Sequence, residues 1–127
     1  MTYKILVVDD EPDIIKILKT FLTKMGFEVI DALGGERALE ILDSNIDFDM
    51  LIVDMKMPKV KGIDVLRRMK DLNKQKPVII LSGSIDIAKH EDKLRDLGYG
   101  HSEYLIKPID LEVLLEKIKQ ALGIDSE

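Results

Sequence analysis

The chain has 127 residues, of which 46% are apolar and 34% charged, and a formal net charge of -5. That length suits one domain with a real hydrophobic core, and the balance is that of a folded rather than a disordered chain. The acidic charge argues against a general nucleic-acid surface, and the absence of cysteine excludes disulfides and thiolate metal sites.

Short runs rich in Val and Ile alternate with helical patterns along the chain. A strand is predicted over 3–8 (YKILVV), then a helix over 12–25 whose apolar stripe is Ile14, Ile15, Leu18, Phe21, Leu22 and Met25. Pro12 suits its first turn and Gly26 its C-terminal end. A strand over 27–31 follows, and Gly34-Gly35 reads as a turn before a helix over 35–44. The spacing next gives a strand over 49–53, a helix over 62–72 on Ile63, Leu66 and Met69, and a strand over 77–81. Residues 85–97 form the weakest helical pattern. Their middle, AKHEDK, is polar, so a short or mobile helix is expected there. The loop Gly98-Tyr99-Gly100-His101-Ser102 leads to a strand over 103–106. A last helix covers 110–122, with Asp110 as N-cap, an apolar face of Leu111, Leu114, Leu115, Ile118 and Leu122, and Gly123 at its end. Residues 124–127 are expected to fray.

Five strand–helix units in succession define an α/β fold: a doubly wound, five-stranded parallel sheet with right-handed crossovers and helices on both faces. The whole chain, 1–127, is expected to be one domain with its core over about 3–122. No apolar run approaches the roughly 20 residues that span a bilayer. The N-terminus lacks the basic start and cleavage site of a signal peptide, so a cytoplasmic setting is expected.

Charged groups fall at the strand ends. Asp9 and Asp10 close the first apolar run, Asp54 closes DMLIVD, and Lys107 closes EYLIK before Pro108. In an open parallel sheet the carboxyl ends of the strands share one edge, where ligands bind. Taken singly, each Asp is an ordinary strand-end cap, Lys107 a solvated end residue and Ser82-Gly83 a plain turn. Their joint placement favours a site. Three carboxylates at one edge repel unless a cation sits among them, and oxygen donors without His or Cys favour Mg²⁺. A carboxylate held beside such an ion can attack phosphorus to give an aspartyl-phosphate, with Lys107 neutralising the transferred group.

Four segments together carry a resemblance: VVDDEP at 7–12, LIVDMKMPKVKG at 51–62, PVIILSG at 77–83 and YLIKP at 104–108. In this order the chain resembles the receiver domains of two-component response regulators, the CheY-like fold, over nearly its whole length. The resemblance implies the sheet order 2-1-3-4-5. It implies Asp54 as phosphoacceptor and Mg²⁺ held by Asp10 directly, by Asp9 through water, by Asp54 and by the backbone carbonyl of Lys56. Ser82 would hydrogen-bond a phosphoryl oxygen, Lys107 would pair with the phosphate, and Tyr104 would turn inward as Ser82 moves. A cis Lys107–Pro108 bond is implied too. The partners implied are a histidine kinase or phosphotransfer protein and a downstream protein target bound through the fourth helix, fifth strand and fifth helix. Such a domain is a switch that assists its own phosphorylation rather than a dedicated enzyme.

Three positions depart from the family pattern. Lys56 stands two residues after Asp54, a position that influences dephosphorylation. Ser82 replaces the commoner threonine. The stretch from Ser82 to Lys107 is a few residues longer than usual, mainly in GYGHS. Lys56, Lys59 and Lys61 also cluster after Asp54, either as a solvated face or as a basic rim for an acidic partner or phosphodonor. His90 and His101 read as surface residues.

Other readings compete with the switch. An Mg²⁺-dependent phosphohydrolase would need a second acid where Lys56 stands, and a substrate pocket for which little length remains. A pseudo-receiver would keep the fold without the phosphorylation. A flavin protein would need a phosphate loop where Asp9-Asp10-Glu11 would repel phosphate.

Overall fold

The computed structural model describes residues 2–124. Its elements run β1 (Lys4–Asp9), α1 (Pro12–Lys24), β2 (Glu28–Leu33), α2 (Gly35–Asp43), β3 (Met50–Asp54), α3 (Gly62–Asp71), β4 (Val78–Ser82), α4 (Ser84–Asp96), a 3-10 turn (His101–Glu103), β5 (Tyr104–Ile106) and α5 (Leu111–Leu122). All strand pairs are parallel and the sheet order is β2-β1-β3-β4-β5. The α/β fold with the order 2-1-3-4-5 is therefore present. That order reverses between β1 and β3, which opens the ligand-binding crevice at the end of this strand pair.

Alternation along the strands separates two cores, because successive side chains point to opposite faces. Ile5, Val7, Met50, Ile52, Ile79 and Leu81 point to one face, where α1 adds Ile15, Leu18 and Leu22 and α5 adds Leu114 and Ile118. Leu6, Val8, Leu51, Val53 and Ile80 point to the other, against α2, α3 and α4. Every residue of β3 and β4 is buried, which explains why these strands read as unbroken apolar runs rather than alternating ones.

The caps follow the sequence. Asp110 accepts hydrogen bonds from the amides of Glu112 (3.0 Å) and Val113 (3.3 Å). Gly26, at φ 93°, turns the chain out of α1. Met25 does not join the α1 stripe. It is the C-terminal cap residue and exposed, because the chain turns away before its side chain reaches the sheet. The Ile124 amide donates to the Lys119 carbonyl at 2.8 Å, closing the end of α5. The expectation for 125–127 lies outside the described residues.

Helix α4 bears on the expected short or mobile helix in its length alone. It is not short but 13 residues long, the same length as α1. Its polarity appears instead as shallow burial, since only Ile87 and Leu94 are buried. The GYGHS loop is also more ordered in form than its glycines suggest. It closes in the 3-10 turn, Gly100 donating to the Glu103 carboxylate at 2.7 Å and Lys117 of α5 reaching the Ser102 carbonyl at 3.2 Å.

Candidate functional site

Strand ends bring the predicted residues together. Asp9 is the last residue of β1, Asp54 the last of β3 and Ser82 the last of β4. Asp10 lies in the turn into α1, and Lys107 follows β5 directly. One carboxylate oxygen from each of Asp9, Asp10 and Asp54 lies within 4.8 Å of the others. The Lys107 ammonium stands 3.5 Å from Asp9 Oδ2 and 3.5 Å from Asp54 Oδ1. Its backbone is fixed by the sheet, because the Lys107 amide donates to the Ser82 carbonyl at 2.9 Å. The Lys107–Pro108 peptide is cis, as the resemblance implies.

Burial sets the electrostatics. Asp9 is fully buried and Asp54 is 3% exposed. Burial and then the neighbouring Asp9 carboxylate push Asp54 up to about 6, against the pull of Lys107. Burial likewise raises Asp9, opposed by the Glu11 amide, which donates to its Oδ1 at 3.0 Å, and by Lys107. For Lys107, burial lowers the pKa, but Asp54 and Asp9 outweigh it and hold the ammonium above its ordinary value. One cation thus serves two buried acids with a third beside them. That surplus of negative charge and the all-oxygen donor set fit a hard divalent ion such as Mg²⁺.

Ser82 is 1% exposed, and its Oγ is buried with no hydrogen-bond partner among the described residues. A buried hydroxyl left unpaired costs free energy unless a ligand or water completes it. Tyr104 is buried, opposite Ile80 in the sheet register, and packs with Ile87 and Leu94 of α4 in the larger core. The exposed His101 ring meets it edge-on at 5.5 Å. Tyr104 is thus inward already.

The loop from β3 to α3 is held closely. A Cβ on Gly62 would sit 2.5 Å from the Asp54 carbonyl oxygen and 2.8 Å from Met55 Cα. A Cβ on Gly35 would overlap the backbone and side chain of Val60. Only glycine permits these approaches. Sequence reading took Gly35 only as part of a turn and gave Gly62 no role of its own; the glycine closing KVKG is the signal that marks it. Within the loop the lysines separate. Lys56 is exposed, its amide 3.4 Å from Asp54 Oδ1, and Lys59 pairs with Glu36 at 3.7 Å. Lys56 and Lys61 instead line a cleft of about 710 Å³ beside the acids, whose far wall is α4 with Asp86, Lys89 and His90. That cleft also escaped the sequence reading, since nothing in the polarity of α4 says which of its two lysines, Lys89 or Lys93, faces the acids.

Comparison with known proteins agrees with this geometry. Residues 5–119 match the family described as the response regulator receiver domain. The chain is 39% identical over 119 residues to the transcriptional regulatory protein CpxR of Escherichia coli K12, covering 94% of this chain and 49% of that protein. It therefore spans about half the length of that relative. It is 36% identical to the chemotaxis protein CheY1 of Helicobacter pylori J99, covering 94% of this chain and 97% of that protein. Among solved structures, a CheY-like receiver domain protein from Methanospirillum hungatei superposes with a TM-score of 0.86 at 28% identity, covering 97% of this chain and 95% of the other. A receiver domain protein from Clostridium thermocellum gives 0.83 at 37% identity, covering 95% and 94%.

The chain belongs to the response regulator receiver domain family. Receiver domains are signalling domains of two-component systems; they generally bind Mg²⁺ at an acidic pocket and interact with histidine kinases and downstream effectors. Such a pocket is present here as Asp9, Asp10 and Asp54. Among the described residues no helix is long and apolar enough to cross a membrane.

Proposed function

We propose that this domain, over the whole chain, is a phosphorylation switch whose acceptor is Asp54. The observation that carries the reading is the convergence of three acids and Lys107 beside a buried hydroxyl that lacks a partner. Asp9, Asp10, Asp54 and the backbone carbonyl of Lys56 are the groups to hold Mg²⁺. When bound, the ion neutralises charge on the transferred phosphoryl group. Asp54 supplies the attacking oxygen. Lys107 moves its ion pair from Asp54 to the phosphoryl group, and Ser82 Oγ donates to a phosphoryl oxygen.

A histidine kinase, a phosphotransfer protein or a small acyl phosphate supplies the phosphoryl group. Phosphorylation adds close to two negative charges in a pocket that already carries a surplus. Drawing Ser82 and Lys107 inward shifts the end of β4 and the start of the β5–α5 loop. Tyr104 and α4 rest on those segments, so the balance of states on the α4–β5–α5 face changes, and with it the affinity for a downstream protein. The domain acts as a switch and not as a dedicated enzyme.

Incubation with acetyl phosphate and Mg²⁺ tests this. The intact mass is expected to rise by one phosphoryl group in the wild type and to stay unchanged in Asp54→Asn. A phosphoryl group retained by Asp54→Asn, or none gained by the wild type, would overturn it.

A further inference from the structure

The cleft beside the acid pocket has the size of a small-ligand site: about 710 Å³, within the usual range of roughly 300–1,000 Å³. Its cations come from two walls, Lys56 and Lys61 from the β3–α3 loop and Lys89 from α4. Among the described residues none of the three stands within an ion pair, although other surface lysines do, such as Lys19 with Asp31 and Lys59 with Glu36. The His90 ring nitrogen Nδ1 lies 2.8 Å from the Asp86 carbonyl, which only accepts, so that nitrogen carries the proton and Nε2 is the polar atom left over. Of the three acids on the cleft, Asp10 belongs to the pocket, Glu11 is exposed beside it, and Asp86 sits in the first turn of α4, where the helix dipole favours a carboxylate. With the pocket acids neutralised by a divalent ion, the three lysines outnumber by one the two acids that remain on the cleft, Glu11 and Asp86.

We propose that this cleft receives the leaving group of a small phosphodonor and selects donors whose leaving group departs as an anion, with Lys89 as a specificity-determining residue. The inference rests on Asp54 being the phosphoacceptor. An Asp54 oxygen attacks phosphorus while the bond from phosphorus to the donor's bridging atom breaks. With an acyl phosphate the bonding pair leaves on oxygen, and a carboxylate departs. With N-protonated phosphoramidate the pair leaves on nitrogen, and neutral ammonia departs. Neither transfer needs an oxidant or a further co-reactant. Negative charge develops in the cleft only in the first case, so lysines there stabilise that transition state more than the ground state, and do nothing of the kind for the second. Among small donors the cleft is thus matched to acyl phosphates over phosphoramidate.

The test compares initial rates of mass gain with acetyl phosphate and with phosphoramidate, at equal Mg²⁺ and low ionic strength. The readout is the ratio of the two rates, which cancels any loss of site integrity. Lys89→Glu is expected to lower the ratio about two- to fivefold, the scale of one exposed charge. Lys89→Arg is expected to keep it, and added salt to shrink the difference between variants. An unchanged ratio in both Lys89→Glu and the double variant Lys61→Glu/Lys89→Glu would overturn the proposal. No mass gain with either donor in the wild type is a distinct result, one that removes the phosphoacceptor reading and this inference with it.

Discussion

Helices α3 and α4 pack on the same face of the sheet, yet α3 buries five of its ten residues and α4 two of its thirteen. The difference follows the site. Asp54 sits at the end of a fully buried strand, and the loop after it is clamped by Gly62 and Gly35. Ser82, Tyr104 and α4 occupy the other half, where a hydroxyl lacks a partner and β5 is three residues long. A group that must attack phosphorus needs a fixed position. An element that reports the event needs two positions of nearly equal free energy, and thin packing supplies them. On the proposed function, chemistry is therefore lodged in the stiff half and its reporting in the loose one.

The sharpest way to break this contrast is to cut the same kind of side chain in each half. Leu66 of α3 is fully buried, whereas Ile85 of α4 is 70% exposed. Leu66→Ala is expected to destabilise the fold by about 2–5 kcal/mol in urea unfolding. Ile85→Ala is expected to cost less than about 0.5 kcal/mol, as surface changes do. Native-state hydrogen exchange should show the same order, with α4 amides opening at lower free energy than those of α3. Equal protection of the two helices would remove the basis of the comparison.

A second test uses the electrostatic strain of the stiff half. The folded-state pKa of Asp54, pushed up to about 6, lies above its ordinary carboxylate value of 3.8. Between those values the folded protein binds more protons than the unfolded chain, so stability falls as pH rises through this window. The loss from this one group is on the order of 1–3 kcal/mol by pH 7 without metal. Metal-free Asp54→Asn is expected to be more stable than the wild type at pH 7 and to show a flatter slope between about pH 4 and 6. Mg²⁺ should stabilise the wild type by binding the charged acids of the native state, and stabilise the variant less. A metal-free wild type that gains stability from pH 4 to 6 would contradict the picture of uncompensated buried acids.

The sequence showed the stiff half more plainly than the loose one, and physics explains the asymmetry. Buried parallel strands leave continuous runs such as MLIVD, and a charge at the end of such a run stands out. Asp9 and Asp54 fall where the ends of β1 and β3 place them. The length of α4 was misjudged because its sparse apolar positions speak to depth of burial and not to persistence of the helix. Thirteen residues stay helical on local hydrogen bonds and two buried anchors. The clamps at Gly35 and Gly62 depend on contacts between separate segments, which no local pattern encodes. The lysine-lined cleft depends on how α4 is rotated about its axis, and a helix that is polar nearly all round gives little sign of that.

The smallest test concerns strain within the loop that follows Asp54. Lys59 adopts φ 63°, a left-handed conformation that disfavours side chains with a Cβ. Its ion pair with Glu36 offers little return, because the Lys59 and Glu36 side chains are 81% and 66% exposed. Lys59→Gly relieves the strain and gives the unfolded chain more freedom, so the gain is partly offset. A net stabilisation of about 0.5–1 kcal/mol is expected from denaturant midpoints. The phosphorylation rate with acetyl phosphate is expected to stay near that of the wild type, because Gly62 and Gly35 still hold the loop against β3 and α2. A stability gain accompanied by a large fall in that rate would mean that the strained lysine, and not the two glycines, keeps the loop in register with Asp54.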